Sequence, residues 1–287
     1  MQSKRVFAQR GKMNNQQERL DYLLQYMQQE MEEYQSVEIP DEYEDRKKTL
    51  RGFMNMRMPK PLPEEIYQVQ DLFLQEEAEE KGIIEWKRIP TVKRKYGSIH
   101  PFANKLSVWK GDITRLKVGA IVNAANSQLL GCFIPCHNCV DNAIHSASGM
   151  QLREECYSIM QKKRMEFGKD YEEPVGSAIL TKGYNLPAEY IIHTVGPVVD
   201  SKLNSELCEQ LQDCYESVLK CAIDNEIRTV ALCCISTGEF CFPNEVAANI
   251  AVETVSEFLE KHNDKFDRII FNVFKRRDLE LYKNRLN

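Results

Sequence analysis

The feature that most constrains the fold is the alternation of strand-like and helix-like segments after Pro90. Runs rich in β-branched residues alternate with longer stretches whose apolar residues have helical spacing. Strands that alternate with helices form layered sheets, so the pattern predicts an α/β fold with helices on both faces of the sheet. The predicted strands are Ile121–Asn123, Ser177–Leu180, Tyr190–Val195, Thr229–Ile235 and Arg268–Val273. The predicted helices are Val140–Gly168, Ser205–Asn225, Asn244–His262 and Asp278–Leu286.

The first part of the chain is more polar and is predicted to form a helical extension. Its apolar residues recur at helical spacing in three segments, and proline and acidic residues at the start of the third suit a first helical turn. The predicted helices cover 20–31, 42–57 and 63–81. No group of residues typical of catalysis is found here. We therefore place a helical N-terminal extension at 1–95 and the main domain at 96–287.

Charge and cysteine content limit the classes of function. The chain has 38 Lys and Arg against 43 Asp and Glu, a net charge of −5, which argues against a nucleic-acid-binding protein. No apolar run approaches the ~20 residues of a membrane-spanning helix. All ten cysteines lie between Cys132 and Cys241 and no apolar signal segment precedes them, so we expect reduced thiols and a cytoplasmic protein. Four basic residues within 4–12 faintly resemble an organellar presequence, and Met13 is an alternative start.

Two loops that follow predicted strands are typical of ligand-binding sites, because ligands of α/β sheets bind beyond the carboxyl ends of the strands. Asn126 ends the first loop, and its amide can donate and accept hydrogen bonds, although this loop taken alone favours a simple Asn-rich turn. The second loop, Ser236–Phe242, precedes a helix and offers backbone N–H groups to a phosphate. Upstream, Asp112 is either a turn residue or an acceptor for a base amino group.

A loop rich in cysteine is the most specific pattern in the chain. Cys132, Cys136, His137 and Cys139 lie within eight residues, and thiolate and imidazole together are ligands that Zn²⁺ prefers. No second Cys/His pair follows at the spacing of a structural zinc site, which favours a site with an open position. The alternatives are a redox C-x-x-C motif, a zinc deaminase site and simple core cysteines. The deaminase signature requires an upstream His-x-Glu, but His100 is followed by proline and phenylalanine.

Several motifs in their order along the chain resemble those of macrodomains, the α/β domains that bind ADP-ribose. The motifs are Gly111–Thr114, Ile121–Asn126, Val140–His145, Gly176–Thr181, Tyr190–Pro197 and Ile235–Gly238. The resemblance covers roughly 96–287 and implies a three-layer fold with a central mixed sheet. Hydrolytic macrodomains usually have a glycine-rich run before Val140, whereas this chain has the Cys/His loop. That departure resembles the zinc-dependent branch of the family, which also has a helical N-terminal extension.

The resemblance implies a role for each part of the site. Asp112 and Ile113 would hold the adenine end of ADP-ribose, and Asn126 and Asp141 would be catalytic, at the distal ribose. The residues that would cradle the diphosphate and cover the ribose are Ser236, Thr237, Gly238, Glu239 and Phe240. The zinc ligands would be Cys132, His137 and Cys139. Cys136 stays undecided as a ligand, His145 is expected to be a satisfied helix residue, and His193 is expected in the core.

The implied activity is hydrolysis of the bond between ADP-ribose and a modified protein side chain, with Zn²⁺ as cofactor. The zinc ion would polarise or position the distal ribose or a water molecule. Two alternatives use the same pocket: a binding module without catalysis, and a deacetylase of O-acetyl-ADP-ribose. The implied partner is a mono-ADP-ribosylated protein, such as a lipoyl-carrier protein modified by a sirtuin-like transferase. We expect a monomer that binds neither nucleic acid nor membranes.

Overall fold

The structure is a computed structural model that describes residues 15–287. The basic segment 4–12 and the alternative start at Met13 lie outside these residues. Within residues 15–287, no helix is both long and apolar enough to cross a membrane.

The main domain is built on a six-stranded mixed sheet with the strand order β2-β8-β7-β4-β6-β5. All neighbouring strands are parallel except β5, which pairs with β6 in the antiparallel direction at one edge. A separate two-stranded parallel pair joins β1 to β3. The strands are β1 (Ile84–Glu85), β2 (Leu106–Lys110), β3 (Leu116–Lys117), β4 (Ala120–Ala125), β5 (Ala178–Lys182), β6 (Tyr190–Val195), β7 (Thr229–Leu232) and β8 (Arg268–Val273).

Helices cover both faces of this sheet. Strand β4 is buried along almost its whole length, as expected for a central strand with helices on each side. The helices are α1 (Gln16–Glu30), α2 (Glu32–Gln35), α3 (Tyr43–Met56), α4 (Glu64–Lys81), α5 (Val92–Tyr96), α6 (Val140–Ser148), α7 (Met150–Phe167), α8 (Ser205–Asp224), α9 (Asn244–His262) and α10 (Arg276–Arg285). Helices α8, α9 and α10 pack side by side, while α6 and α7 contact each other and the extension. The predicted three-layer α/β fold with N-terminal helices is confirmed.

One predicted element was wrong in detail, and one strand was missed. The predicted helix 140–168 is two helices, because Gly149 adopts a φ of +100° and breaks the helical hydrogen bonds between α6 and α7. Strand β2 was not predicted at all. Its Ser107 is fully buried and accepts a hydrogen bond from Nη1 of Arg268 at 3.0 Å. This bond offsets the cost of burying a polar side chain, and the order of apolar and polar residues in the sequence does not reveal it.

The extension has its own apolar core, formed mainly by α1, α3 and α4 around residues such as Leu20, Met27 and Phe53. The side chain of Arg153, on α7 of the main domain, reaches into the extension. It donates hydrogen bonds to the carbonyl groups at the end of α3 and is 5% exposed. The extension is thus packed against the helices that follow the Cys/His loop.

Candidate functional site

The predicted binding loops meet at the carboxyl edge of the parallel strands. Asp112 follows β2, Asn126 follows β4, Gly196 follows β6 and Ser236 lies in the loop that follows β7. Strands β2 and β4 are three positions apart in the sheet, which is about 14 Å at ~4.8 Å per strand. The edge is therefore long enough for an elongated ligand that would run from Asp112 past the Ser236 loop to the Asn126 loop.

Asp112 shapes the first loop and keeps part of its carboxylate accessible. It caps the short 3₁₀ helix Ile113–Arg115, and its Oδ1 accepts hydrogen bonds from the N and Oγ1 of Thr114 at 3.0 and 2.7 Å. The side chain is half-buried, and Ile113 beside it is buried. Both readings of Asp112 from the sequence are compatible with this arrangement, because Oδ1 forms the turn while Oδ2 accepts no hydrogen bond within residues 15–287.

The loop Ser236–Phe242 presents unpaired backbone donors. The N–H groups of Gly238, Glu239 and Phe240 have no acceptor in the part of the chain that the structure describes. The loop is held from behind, since the N–H of Phe242 donates to the carbonyl oxygen of Ser236 at 2.9 Å and the Phe242 ring is buried. Consecutive free N–H groups ahead of a helix form a cradle for an anion such as a diphosphate.

Close packing fixes the beginning of this loop. Ser236 has a φ of +62°, a left-handed conformation that is uncommon outside glycine and that concentrates at functional sites. Gly196 lies directly against it, and a Cβ atom at position 196 would overlap with Oγ of Ser236. The hydroxyl of Ser236 is buried and has no hydrogen-bond partner within residues 15–287.

The structure brings the three predicted zinc ligands together. One ligand atom each from Cys132, His137 and Cys139 lies within 4.8 Å of the other two, and all three residues are half-buried. Cys139 begins α6 as its N-cap, with its Sγ accepting from the N–H of Asn142 at 3.3 Å. Burial raises the pKa of the Cys139 thiol to about 12, with the neighbouring Cys132 adding to the effect.

This donor set fits a zinc ion. Tetrahedral bonds of ~2.3 Å to sulfur and ~2.0 Å to nitrogen place the two ligand atoms about 3.6 Å apart, and Sγ of Cys132 lies 3.6 Å from Nδ1 of His137. Cysteine binds zinc as a thiolate, so a cation held between the two sulfurs would offset the charge that Cys132 and Cys139 acquire on binding it. Cys136 is not part of the group, because its Sγ donates to the carbonyl oxygen of Lys48 on α3 at 3.2 Å.

The Cys/His loop and the Ser236–Phe242 loop face each other. Nε2 of His137 lies 3.7 Å from Oε1 of Glu239, although the two residues are far apart in the sequence. A ligand whose diphosphate binds the free N–H groups would therefore extend toward Cys132, His137 and Cys139, the three predicted zinc ligands.

Asp141 lies beneath these loops in a buried hydrogen-bonded chain. Its Oδ1 accepts from Nδ2 of Asn123 at 2.8 Å, and the same amide lies 3.1 Å from Nδ1 of His193. Nε2 of His193 is in turn 2.9 Å from Oγ1 of Thr181. Burial raises the pKa of Asp141 to about 6, while the Asn123 hydrogen bond and the charge of Arg153 oppose the rise. His193 is fully buried, as predicted.

His145 differs from the expectation of a satisfied helix residue. It is buried in α6, and neither ring nitrogen has a hydrogen-bond partner within residues 15–287. Its Nε2 lies 3.5 Å from Oδ1 of Asp141, one helical turn earlier. Burial lowers the pKa of His145 well below its usual value, with the neighbouring His193 contributing, so the ring is neutral.

Asn126 uses its amide to shape the loop that leads to the predicted zinc ligands. Its Nδ2 donates to the carbonyl oxygen of Gly131 at 3.1 Å, and its Oδ1 accepts from the N–H of Gln128 at 3.1 Å. The side chain is half-buried and has one further donor and lone pairs for a ligand. Its predicted catalytic contact with the distal ribose stays a prediction.

The contacts of three polar residues of the site were not predicted from the sequence. Asn123 orients Asp141, Asn142 contacts the Cys/His loop, and Arg51 of the extension binds Asn142. The sequence contains one indication of them: Asn123 stands within an apolar strand, and a carboxamide there must find a buried partner. Arg51 has no such indication, because its partner is 91 residues away.

Comparisons with known proteins identify the family and several relatives of this chain. Residues 122–251 match the family model Macro domain. The protein-ADP-ribose hydrolase of Treponema medium is 42% identical over 93% of this chain and 97% of its own length. A protein of the same name from Staphylococcus aureus is 41% identical over 94% of this chain and 95% of its own. The Trypanosoma brucei macrodomain in complex with ADP-ribose has a TM-score of 0.62 at 26% identity, covering 83% of this chain and 95% of that one.

Proposed function

The chain belongs to the macro domain family, and on that premise we propose that it removes ADP-ribose from mono-ADP-ribosylated protein side chains by hydrolysis. The observation that carries the proposal is the position of the Cys132–His137–Cys139 group opposite the free N–H groups of the Ser236–Phe242 loop. A binding module needs the free N–H groups to hold the diphosphate, but it does not need the Cys132–His137–Cys139 group.

Three groups of residues would each bind a different part of ADP-ribose. Asp112 would accept a hydrogen bond from the adenine amino group, since its Oδ2 has no partner within residues 15–287. The N–H groups of Gly238, Glu239 and Phe240 would bind the diphosphate. The distal ribose would then lie between the Cys/His loop and Asp141, with Asn126 at its side.

Asp141 would carry the hydrolytic step. Because Asn123 occupies Oδ1, the other carboxylate oxygen is free to accept a hydrogen bond from a ribose hydroxyl or from the attacking water. Cys132, His137 and Cys139 would hold zinc, which as a Lewis acid polarises an oxygen of the distal ribose. Since two thiolates reduce the net charge of such a site, we assign these three residues chiefly to positioning the ribose.

The test is release of ADP-ribose from an automodified transferase, with and without a zinc chelator. We expect the chelator to abolish turnover and added Zn²⁺ to restore it. Cys139→Ala should lower turnover about 100-fold or more, as removal of a preorganised group does. Cys208→Ala is the matched control, because its thiol is half-buried on α8 and lies outside the metal group. Binding of ADP-ribose without any release would instead identify a binding module.

A substrate panel defines the bond that is cleaved. Asp/Glu-, Ser- and Arg-linked ADP-ribose, together with O-acetyl-ADP-ribose, are compared under the same conditions. A modified lipoyl-carrier protein is the first protein substrate to test. Preference for O-acetyl-ADP-ribose over every protein-linked form would replace the proposed activity by the deacetylase alternative.

A further inference from the structure

Helix α3 of the extension lies against the outer side of the Cys/His loop and bonds to its backbone. Oδ1 of Asn55 accepts from the N–H of Cys136 at 2.9 Å, and Nη2 of Arg51 donates to the carbonyl oxygen of His137 at 3.3 Å. The thiol of Cys136 donates to the carbonyl oxygen of Lys48. The middle of the loop, between two of the metal-ligating residues, is therefore held by one face of one helix.

Asn142 connects this helix to the metal-ligating residues themselves. Its side chain is fully buried, and its Nδ2 donates to the carbonyl oxygens of Ile134 and Cys132 at 3.0 and 3.5 Å. Its backbone N–H donates to Sγ of Cys139. One residue thus touches the backbone of the first ligand and the sulfur of the third.

Arg51 fixes the orientation of Asn142. Its Nη2 and Nε donate to Oδ1 of Asn142 at 2.6 and 3.2 Å, which forces the amide nitrogen to point into the loop. No carboxylate lies within ion-pair distance of Arg51 in the described part of the chain, so its hydrogen bonds go to neutral oxygens of this region. The guanidinium is planar and holds its N–H donors in a fixed arrangement, which suits it to orienting an amide side chain.

We propose that Arg51 and Asn142 are positioning residues that set the geometry of Cys132, His137 and Cys139 for zinc. We call this pair the clamp. The inference rests on the proposed function, because it takes zinc binding by the three residues as given. Groups that hold metal ligands in place typically change metal affinity by about 10- to 100-fold when they are removed. The extension would then be part of the metal site rather than only a support for the fold.

The clamp differs in its consequences from the other roles that an extension could have. If the extension recognised the modified protein, substitutions in it would change the KM for that protein and leave zinc affinity unchanged. If the extension only stabilised the fold, substitutions in it would lower the melting temperature of the zinc-free protein. Substitutions in the clamp should lower zinc affinity and retain the binding of free ADP-ribose, which depends on Asp112 and the Ser236–Phe242 loop.

The experiment measures zinc affinity by competition with a chromophoric chelator, using the full chain. We expect Arg51→Ala to bind zinc about 10- to 100-fold more weakly than the unmodified protein. Arg51→Lys should give a smaller loss, because one ammonium group can keep a bond to Oδ1 of Asn142 but cannot reproduce the fork. Arg46→Ala is the matched control: Arg46 is on the same helix but forms its ion pair with Asp21 inside the extension.

A second variant distinguishes a loss of zinc affinity caused by the clamp from one caused by misfolding of the protein. Asn142→Asp keeps the size of the side chain and the acceptor for Arg51, but it removes the donor to Ile134 and Cys132. It should also weaken zinc binding, and calorimetry with ADP-ribose should give an affinity within about threefold of the unmodified protein, well below the tenfold change that corresponds to 1.4 kcal/mol. Melting temperatures of the zinc-free proteins are measured in parallel.

The outcomes separate the two proposals. If the unmodified protein binds no zinc, the metal part of the proposed function fails. If it binds zinc and Arg51→Ala and Asn142→Asp bind it equally well, the clamp is refuted while the proposed function stands. A loss of zinc affinity in Arg46→Ala as large as that in Arg51→Ala would also refute the clamp, since it would indicate a general effect of the extension.

Discussion

Replacing Arg153 with methionine should weaken the packing of the extension against the main domain and lower the free energy of unfolding. The Arg153 guanidinium is buried and donates to four carbonyl oxygens: those of Leu130, Met54, Asn55 and Arg57, at 2.6 to 2.9 Å. Met54 and Asn55 are in the last turn of α3, where carbonyl groups lack helical partners and a cation is favourable. Arg153 is therefore the cap of a helix that belongs to the other part of the molecule.

The magnitude follows from these four contacts. A hydrogen bond to a charged group contributes about 1.5–3 kcal/mol, but four of them act on one guanidinium whose burial costs several kcal/mol. A small cavity of about 10 Å³ beside Arg153 has room for roughly one water, which would satisfy one stranded carbonyl. We therefore expect Arg153→Met to lower the free energy of unfolding by about 3–5 kcal/mol, because about three carbonyl groups stay without a donor at about 1–3 kcal/mol each, partly offset by the guanidinium that no longer has to be buried.

Urea unfolding is followed by two probes. Trp86 and Trp109 are the only two tryptophans, and both pack against the apolar core of the main domain, although Trp86 falls within the predicted extension 1–95. Their fluorescence therefore reports the main domain, whereas circular dichroism reports all helices. At a slope of ~3 kcal/mol per molar urea, the expected loss moves the midpoint by about 1 M or more. Arg228→Met, which removes an exposed ion pair with Asp267, should leave the midpoint unchanged. A loss below ~1 kcal/mol in Arg153→Met would refute the reasoning.

Three further predictions follow from the site. Asp141→Asn should lower turnover about 100-fold or more with ADP-ribose affinity retained; unchanged single-turnover kinetics would remove Asp141 from the mechanism. Gly196→Ala should weaken ADP-ribose binding, measured by calorimetry, by roughly tenfold, because the added methyl displaces Ser236 at a cost of ~1–3 kcal/mol; unaltered affinity would contradict this. Burial lowers the pKa of His193 to about 3, so between pH 6.5 and 3 the unfolded chain binds a proton that the folded one does not. Stability should therefore decrease as the pH is lowered from 6.5 to 3, by ~1.4 kcal/mol per pH unit from this residue, and a plot of the free energy of unfolding of His193→Gln against pH, from urea titrations, should be less steep by that amount.

The parts of the site that could be predicted are those encoded within a few residues. Cys132, His137 and Cys139 form a recognisable pattern because eight consecutive residues contain all three predicted zinc ligands, and the structure brings one side-chain atom of each close together. The Ser236–Phe242 loop is recognisable for the same reason, since a phosphate cradle is built from one turn and the helix that follows.

The parts that could not be predicted depend on partners far away in the sequence. Gly149 looks like a tolerated glycine within a long helix, but Oε1 of Gln70 on α4 accepts the hydrogen bond of the Met150 N–H and caps a new helix there. The bond between Arg51 and Asn142 spans 91 residues, and neither residue type indicates the other. Such contacts arise from how the extension packs, which no local pattern specifies.

The bonds between α3 and the Cys/His loop also determine which segments can be exchanged between proteins. A graft of residues 131–142 alone into another macrodomain would carry the thiols and the imidazole but leave Arg51 and Asn55 behind. Asn142 would then be buried with no cation to orient its amide. The smallest transferable unit is therefore discontinuous: the loop, helix α3, and Arg153, which joins the end of that helix to the main domain.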